Sequence, residues 1–279
     1  MEKILLALDA HQPETNTIDF ACFIARLTDS KLTGVFLEDI LQEEMTYVAG
    51  TAKPTCIGRP EKASGEPEGV PVDIVSRNIS RFKESCICRE TRSLIHRDRG
   101  IPLSEVVEES RFADLIIVDP VTSFSKSDRS VPSRFVKDIL LDSECPVLIA
   151  PYSFEGLDEI IFTYNGTQSA VYAIKQFTYL FPGLSGKKAI VVNVSRGDTE
   201  SIEQQFKMKE WLKAHYRDVE FVILKGDASD EIFGYLIEKK SAMVVMGAYG
   251  RSLLSRFFQS SHARLIVRTV NLPVFITHH

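Results

Sequence analysis

The feature that most constrains the fold is an alternation of short apolar runs and amphipathic segments that occurs twice along the chain. Segments with helix-spaced apolar residues, such as 16–27 and 168–180, separate the runs. The runs lie at 4–8, 32–37, 93–96, 115–118 and 146–150, and again at 159–163, 189–194, 219–224, 243–246 and 273–277. Strands that alternate with helices predict parallel sheets with right-handed crossovers. The chain is therefore predicted to be α/β, with one doubly wound unit used twice.

This duplication predicts two tandem domains, 1–151 and 157–279, in a chain of 279 residues that is long enough to bury two cores. The first half is longer than the second, and its extra residues lie mostly between 41 and 73. Glycines and prolines crowd that stretch, which predicts a long surface loop.

Local patterns give predictions at the helix level. Thr15 or Asn16 is predicted to cap the first helix of the first half, and Thr167 that of the second. A further helix near 206–212 is predicted to bury Phe206 with Trp211 and Leu212.

Composition excludes several classes of protein. A net charge of -5 supplies no field that would gather nucleic acid or an anionic membrane. The five cysteines are scattered and include no C-x-x-C, which argues against a disulfide framework or a zinc site. The close pair Cys86 and Cys88 is interpreted as structurally incidental, with the two side chains on different sides of a helix. We expect a cytoplasmic protein without a metal site.

A glycine-punctuated loop follows the fourth apolar run of the second half. Gly247 and Gly250 are followed by the small pair Ser260 and Ser261, in an arrangement that lets backbone approach a phosphate. The matching stretch of the first half begins Asp119-Pro120 and carries Ser133-Arg134 where the small pair would fall. A carboxylate repels phosphate and proline lacks an N–H, so the first half is predicted to have a degenerate nucleotide loop.

These residues resemble the universal stress protein family, in its tandem two-domain form, over essentially the whole chain. Members that bind ATP have an acidic residue after strand one, then G-x-x-G, nine residues, and G-S or G-T. Here Gly247 and Gly250 match, Ser260 replaces the third glycine, Ser261 keeps the hydroxyl, and Asn165 replaces the acidic residue. The resemblance implies two five-stranded, Rossmann-like sheets of the adenine nucleotide alpha hydrolase type, each with strand order 3-2-1-4-5.

The resemblance also implies a ligand and an assembly. ATP, with magnesium accompanying it, would bind in the second half against Thr163, Asn165, Val194, Met246, Gly247, Gly250, Ser260, Ser261 and His262. The two halves would form a pseudo-dimer through their fifth strands. Strands 146–150 and 273–277 are also where a homodimer of chains is predicted.

Three functions remain open at this point. The first is a non-enzymatic stress-response or regulatory protein with an ATP site. The second is an ATP-hydrolysing or adenylyl-transferring enzyme, for which the sequence offers only Arg251 and Arg256 near the phosphates and no known catalytic motif. The third is a binding module that has lost nucleotide. No catalytic residue is predicted, and Gly247→Asp is expected to abolish nucleotide affinity while leaving the fold intact.

Overall fold

The computed structural model describes residues 1–40, 73–125, 127–195, 202–248 and 271–278. The strands are β1 Lys3–Asp9, β2 Lys31–Asp39, β3 Ser93–Gly100, β4 Leu115–Val118, β5 Val147–Ile149, β6 Glu159–Thr163, β7 Lys188–Ser195, β8 Asp218–Lys225, β9 Ala242–Ala248 and β10 Val274–His278. The α-helices are α1 Thr15–Leu27, α2 Ile74–Cys88, α3 Pro102–Ser110, α4 Arg134–Asp142, α5 Gln168–Leu180, α6 Gln205–Lys213 and α7 Ala228–Ile237. The predicted alternation of strands and helices is confirmed.

The strands form one sheet rather than two. Its order is β3-β2-β1-β4-β5-β10-β9-β6-β7-β8, so each half has the order 3-2-1-4-5 that the resemblance implies. Pairs within a half are parallel, whereas β5 and β10 pair antiparallel and join the halves into ten strands. The two five-stranded units are thus joined into a single sheet through their fifth strands, the pairing that the resemblance implies. Each fifth strand would otherwise expose a row of unpaired backbone groups, and the pairing satisfies both rows.

The joining of β5 to β10 also bears on self-association. Val274 pairs with Ile149 and Ile276 with Val147 within one chain. The strands predicted as the contact between chains are therefore interior strands, without a free hydrogen-bonding edge. The outer strands of the joined sheet are β3 and β8.

The core lies on both faces of the sheet because alternate strand residues point to opposite sides. In β1, Ile4, Leu6 and Leu8 belong to one apolar cluster, and Leu5 and Ala7 to the other. Helices α1, α2, α5 and α6 supply side chains to the first cluster, whereas α3, α4 and α7 supply the second. With both faces covered, the loops at the strand ends are the regions left open for a ligand.

Helix caps are only partly as predicted. Thr167 precedes α5, and its side chain accepts a hydrogen bond from the Ala170 N–H, which confirms it as a cap. The N-cap of α1 is Glu14, and its side chain makes no capping bond, so the prediction of Thr15 or Asn16 is wrong. Both of those residues lie inside the first helical turn.

The predicted buried face of α6 is also partly wrong. Leu212 is buried and Trp211 packs partly against the core, but Phe206 is 81% exposed. The helix begins only at Gln205, so Phe206 lies in its first turn. In the described parts of the chain, no helix has both the length and the apolar character needed to cross a membrane.

Candidate functional site

Parallel strands bring the predicted site residues of the second half to one edge of the sheet. Strand β6 lies between β7 and β9. The sheet order reverses at this strand, because the chain passes from β6 outward to β7 and β8 and then returns to form β9 on the other side of β6. Such a switch point opens a crevice at the carboxyl ends of the strands. Thr163 ends β6, Val194 lies next to the last residue of β7, and Met246 and Gly247 lie near the end of β9. These four predicted residues therefore share the edge.

Thr163 and Asn165 order the chain where it leaves β6. The Thr163 Oγ1 donates to the carbonyl oxygen of Val245 at 3.2 Å, which ties β6 to β9. The Asn165 side chain is exposed, and its Oδ1 accepts from the Thr167 N–H at 3.2 Å and from the Thr167 Oγ1 at 2.7 Å. Two bonds fill both lone pairs of that oxygen. The group that Asn165 offers a ligand is therefore its NH₂ donor, not the acceptor that an aspartate would supply.

Gly247 is required by the packing of β9 against α5. A Cβ at this position would lie 2.4 Å from the carbonyl oxygen of Ser169 and 2.7 Å from the nitrogen of Ala170. Both atoms are backbone at the start of α5, so a side chain could enter only if the helix moved. The expectation that Gly247→Asp leaves the fold intact is therefore wrong, because that variant would displace α5.

The loop after β6 is held from the side of β7. The Asn193 Nδ2 donates to the carbonyl oxygen of Tyr164 at 2.9 Å, and the Tyr164 hydroxyl donates to the carbonyl oxygen of Glu203 at 3.2 Å. Val194, the next residue of β7, is half-buried and points to the opposite face of the sheet from Asn193. Four further predicted site residues lie outside the described residues: Gly250, Ser260, Ser261 and His262.

The first half carries a buried carboxylate at the corresponding point. Asp119 follows β4, is 5% exposed, and accepts from the Thr17 Oγ1 and the Val121 N–H, both at 2.8 Å. It faces α1, as the Gly247 position faces α5. Burial raises the pKa of Asp119, although both hydrogen bonds oppose that shift. A carboxylate thus lies beside the first helix at the position where the second half has a glycine packed directly against helix backbone.

A second carboxylate occupies the start of α4. One Asp128 oxygen accepts from the Arg134 N–H at 2.6 Å, and the other accepts from the Ser130 N–H at 2.9 Å. The first N–H groups of a helix are a natural anion site, and here the protein supplies the anion itself. Ser133-Arg134 in this stretch was noted from the sequence, but Asp128 was missed. No short sequence motif indicates that Asp128 bonds to Arg134, six residues further along the chain.

Replacement of Asp119 tests its burial through pH. Because the folded-state pKa is raised, the carboxyl group costs no stability below the ordinary aspartate pKa of about 4, and costs stability as pH rises through the folded value. Asp119→Asn is therefore expected to melt a few degrees higher than the parent at pH 7 and to lose that gain near pH 4. Calorimetry between pH 4 and pH 7 measures this difference in melting temperature, and Asp29→Asn, at an exposed aspartate, is the control. A gain that does not depend on pH would contradict the explanation.

Comparisons with known proteins agree with this architecture. Residues 165–278 match the model of the universal stress protein family. A universal stress protein from Synechocystis sp. is 19% identical over 287 residues, covering 98% of this chain and 99% of that protein. A solved universal stress protein from Archaeoglobus fulgidus has a TM-score of 0.65 at 13% identity, with 99% of this chain and 98% of the other covered. A solved putative universal stress protein from Pseudomonas aeruginosa has a TM-score of 0.62 at 13% identity, with 100% of this chain and 93% of the other covered.

Proposed function

Because this chain belongs to the universal stress protein family, we propose that it is a non-enzymatic stress-response or regulatory protein that binds ATP through its second half. In this proposal 157–279 is the nucleotide-binding domain, and 1–151 is a degenerate domain that carries the 41–73 insertion. The two act together as an intramolecular pseudo-dimer in the cytoplasm. Association of two such chains into a homodimer would use surfaces other than β5 and β10, which already pair with each other.

The observation that carries the proposal is the contrast between the two switch points. Asp119 and Asp128 place carboxylates at the start of helices in the first half, where a phosphate would have to displace them. At the end of β9 the second half has Gly247 where the first half has Asp119, and the start of α5 is capped by the Thr167 hydroxyl rather than by an aspartate; the Glu203 carboxylate lies beside Gly166, two residues before α5. Since phosphate is repelled by carboxylates and attracted to helix N-termini, the second half is the favourable one.

The described residues suggest how the nucleotide would lie. Thr163, Asn165 and Val194 would face the adenine and ribose, with the Asn165 NH₂ donating to a ring nitrogen. Gly250, Ser260, Ser261 and His262 would frame the phosphates and Met246 the sugar, as in the family pattern. Magnesium would enter with the phosphates rather than through a resident site.

The alternative function is that of an ATP-hydrolysing or adenylyl-transferring enzyme. Catalysis of phosphoryl or adenylyl transfer uses cations placed against the phosphates, and Arg251 and Arg256 are the two such residues that the motif region offers. Single-turnover incubation with labelled ATP and magnesium separates the two functions. A sensor returns intact ATP, whereas metal-dependent release of phosphate or transfer of adenylate would favour the enzyme.

Calorimetric titration of the full chain with ATP and magnesium tests binding. We expect one site per chain and an affinity about fivefold weaker in Asn165→Ala, because loss of a ligand hydrogen bond costs about 1 kcal/mol. Asp9→Ala is the matched control, since Asp9 follows β1 as Asn165 follows β6. An equal loss in both variants, or two sites per chain, would contradict a site confined to the second half.

The third function, a binding module that has lost nucleotide, predicts a different outcome of the ATP titration. Ser260→Gly restores the third glycine of the family pattern and removes a Cβ near the expected phosphates. If the parent chain gives no heat with ATP and Ser260→Gly binds it, Ser260 marks lost binding. If neither binds, nucleotide is excluded as the ligand of this fold, and the proposal fails.

A further inference from the structure

Two buried thiols meet between α1 and α2 in the first half. The sulfur atoms of Cys22 and Cys86 are 3.8 Å apart, and both residues are fully buried. Their neighbour Cys88 is exposed on the other side of α2, as the sequence predicts, and Cys145 is buried elsewhere. The partner of Cys86 is thus not the nearby Cys88 but a residue 64 positions away.

We propose that Cys22 and Cys86 form a reversible disulfide when the protein meets a peroxide, which makes the contact between α1 and α2 an oxidation site. This inference concerns the first half and is independent of the nucleotide site.

The geometry needs only a small adjustment. A disulfide has a bond length of about 2.05 Å, so the two sulfur atoms must approach by roughly 1.7 Å from their present 3.8 Å. An ion pair between Asp19 on α1 and Arg89 just after α2, at 2.7 Å, keeps the two helices adjacent. Rotation of the two side chains and a slight shift of one helix would close the gap.

The two sulfurs differ in reactivity, as an attacking and a resolving thiol must. A hydrogen bond from Cys86 lowers the pKa of Cys22, against the effect of burial, and the charge of Arg89 lowers it further. The same hydrogen bond, together with burial, raises the pKa of Cys86. The lower pKa of Cys22 favours it as the attacking thiolate, with Cys86 as the resolving thiol.

A cavity gives the oxidant a way toward the pair. Its volume is about 460 Å³, and its lining comes from the turns of α1 around Cys22 and from the end of α2: Asp19, Phe23, Arg26, Leu27 and Arg89. The thiols are sealed from it in the resting structure. Reaction therefore requires local opening of the α1–α2 contact and is slower than that of an exposed thiol.

The chemistry balances with peroxide as the oxidant. The Cys22 thiolate attacks one peroxide oxygen; an S–O bond forms, the O–O bond breaks, and the departing hydroxide takes a proton to become water. The Cys86 sulfur then attacks the Cys22 sulfur; the S–S bond forms, the S–O bond breaks, and the departing hydroxide takes the Cys86 proton as a second water. Two thiols lose two electrons, and the peroxide gains them.

Thiol mapping of the full chain tests the proposal. Protein treated with hydrogen peroxide is denatured, alkylated and digested without reductant, and the peptides are identified by mass spectrometry. We expect a linked peptide joining Cys22 to Cys86, its loss on addition of dithiothreitol, and a melting temperature raised by roughly 5–10 °C in the oxidised protein. Cys88→Ser is the control and is expected to behave as the parent does.

Other outcomes overturn the proposal. Retention of both thiols under peroxide would mean that the pair is a packing contact only. A link from either residue to Cys88 or Cys56, or a peroxide-treated Cys22 that stops at sulfinic acid, would reject the pairing. Cys22→Ser and Cys86→Ser should each abolish the linked peptide; if either fails to fold, the map of the parent chain still decides.

Discussion

Gly247→Ala is expected to destabilise the protein by about 3 kcal/mol and to lower its melting temperature by roughly 10 °C. The added Cβ would lie 2.4 Å from the Ser169 carbonyl oxygen and 2.5 Å from its carbonyl carbon. These atoms belong to the backbone of α5, which packs on β9 and β10 and cannot rotate away as a side chain can. Either the helix shifts or the strand bends, and both loosen the core around Phe177 and Phe275. Urea denaturation monitored by circular dichroism measures the change.

Gly234→Ala is the matched control for this substitution. Gly234 lies inside α7, and no heavy atom lies within 4 Å of the position its Cβ would take. Alanine in an open helical position is expected to stabilise by about 0.5–1 kcal/mol through helix propensity and a less flexible unfolded chain. The two glycine-to-alanine changes should therefore have opposite signs. A stable Gly247→Ala protein would show that α5 does not approach β9 so closely.

The same contact affects how nucleotide experiments are designed. A change at Gly247 alters both the phosphate edge and the start of α5, so loss of ATP affinity in such a variant does not identify a binding residue. Asn165→Ala disturbs the packing less, because the Asn165 side chain is exposed and bonds to Thr167 at the cap of α5, whereas a side chain at Gly247 would collide with the helix backbone. The proposed site is therefore tested at the end of β6 rather than in the glycine motif.

The strands were the most predictable part of the fold. Parallel strands covered on both faces bury consecutive residues, as all four of Leu115–Val118 are buried here, and such runs stand out in a sequence. Helix α2 was predicted only around the pair Cys86 and Cys88, and the rest of it was missed because its pattern is mixed. Ile74 and Ile87 are exposed, whereas Asn78 is buried, with its Nδ2 donating to the carbonyl oxygens of Ala10 and His11. That buried amide interrupts the apolar spacing on which helix prediction depends.

The joining of the halves was predicted from the family resemblance and not from any local pattern, and the role of Gly247 was not predicted at all. A short apolar run such as 147–149 looks the same whether it is an edge strand or pairs with β10. Likewise, a glycine motif shows that backbone must come close to something, but not to what. For Gly247 the structure identifies Ser169 and Ala170, residues far away in the sequence. The edge where the candidate site residues meet was predictable, because it follows from strand order alone.

Arg97 connects the two ends of the segment predicted as an insertion. Its Nε donates to the Glu38 Oε1 at 2.6 Å and its Nη2 to the Oε2 at 3.3 Å, while its Nη1 lies 3.5 Å from the Asp73 Oδ2. Glu38 lies at the end of β2, and Asp73 caps α2. Glu38 is only 3% exposed, so its charge depends on Arg97 for compensation. The guanidinium thus holds a buried carboxylate and closes the gap between the two elements.

Arg97→Ala is therefore expected to cost about 2–3 kcal/mol, toward the lower end for a broken buried pair, because Arg97 itself is partly exposed. Arg99, whose Nε is 3.9 Å from the Glu38 Oε2, is too distant to replace it fully. Arg92→Ala is the control: it breaks an exposed pair with Asp29 and should change stability by no more than about 0.5 kcal/mol.

A double-mutant cycle identifies the cause of the loss at Arg97. Glu38→Gln removes the buried charge but keeps a polar group of similar shape, so adding it to Arg97→Ala should restore part of the lost stability. Additive losses in the cycle would mean that Arg97 acts by packing its side chain rather than by compensating Glu38. In that case the start of α2 would be stabilised by the Asp73 cap and not by the ion pair of Asp73 with Arg97.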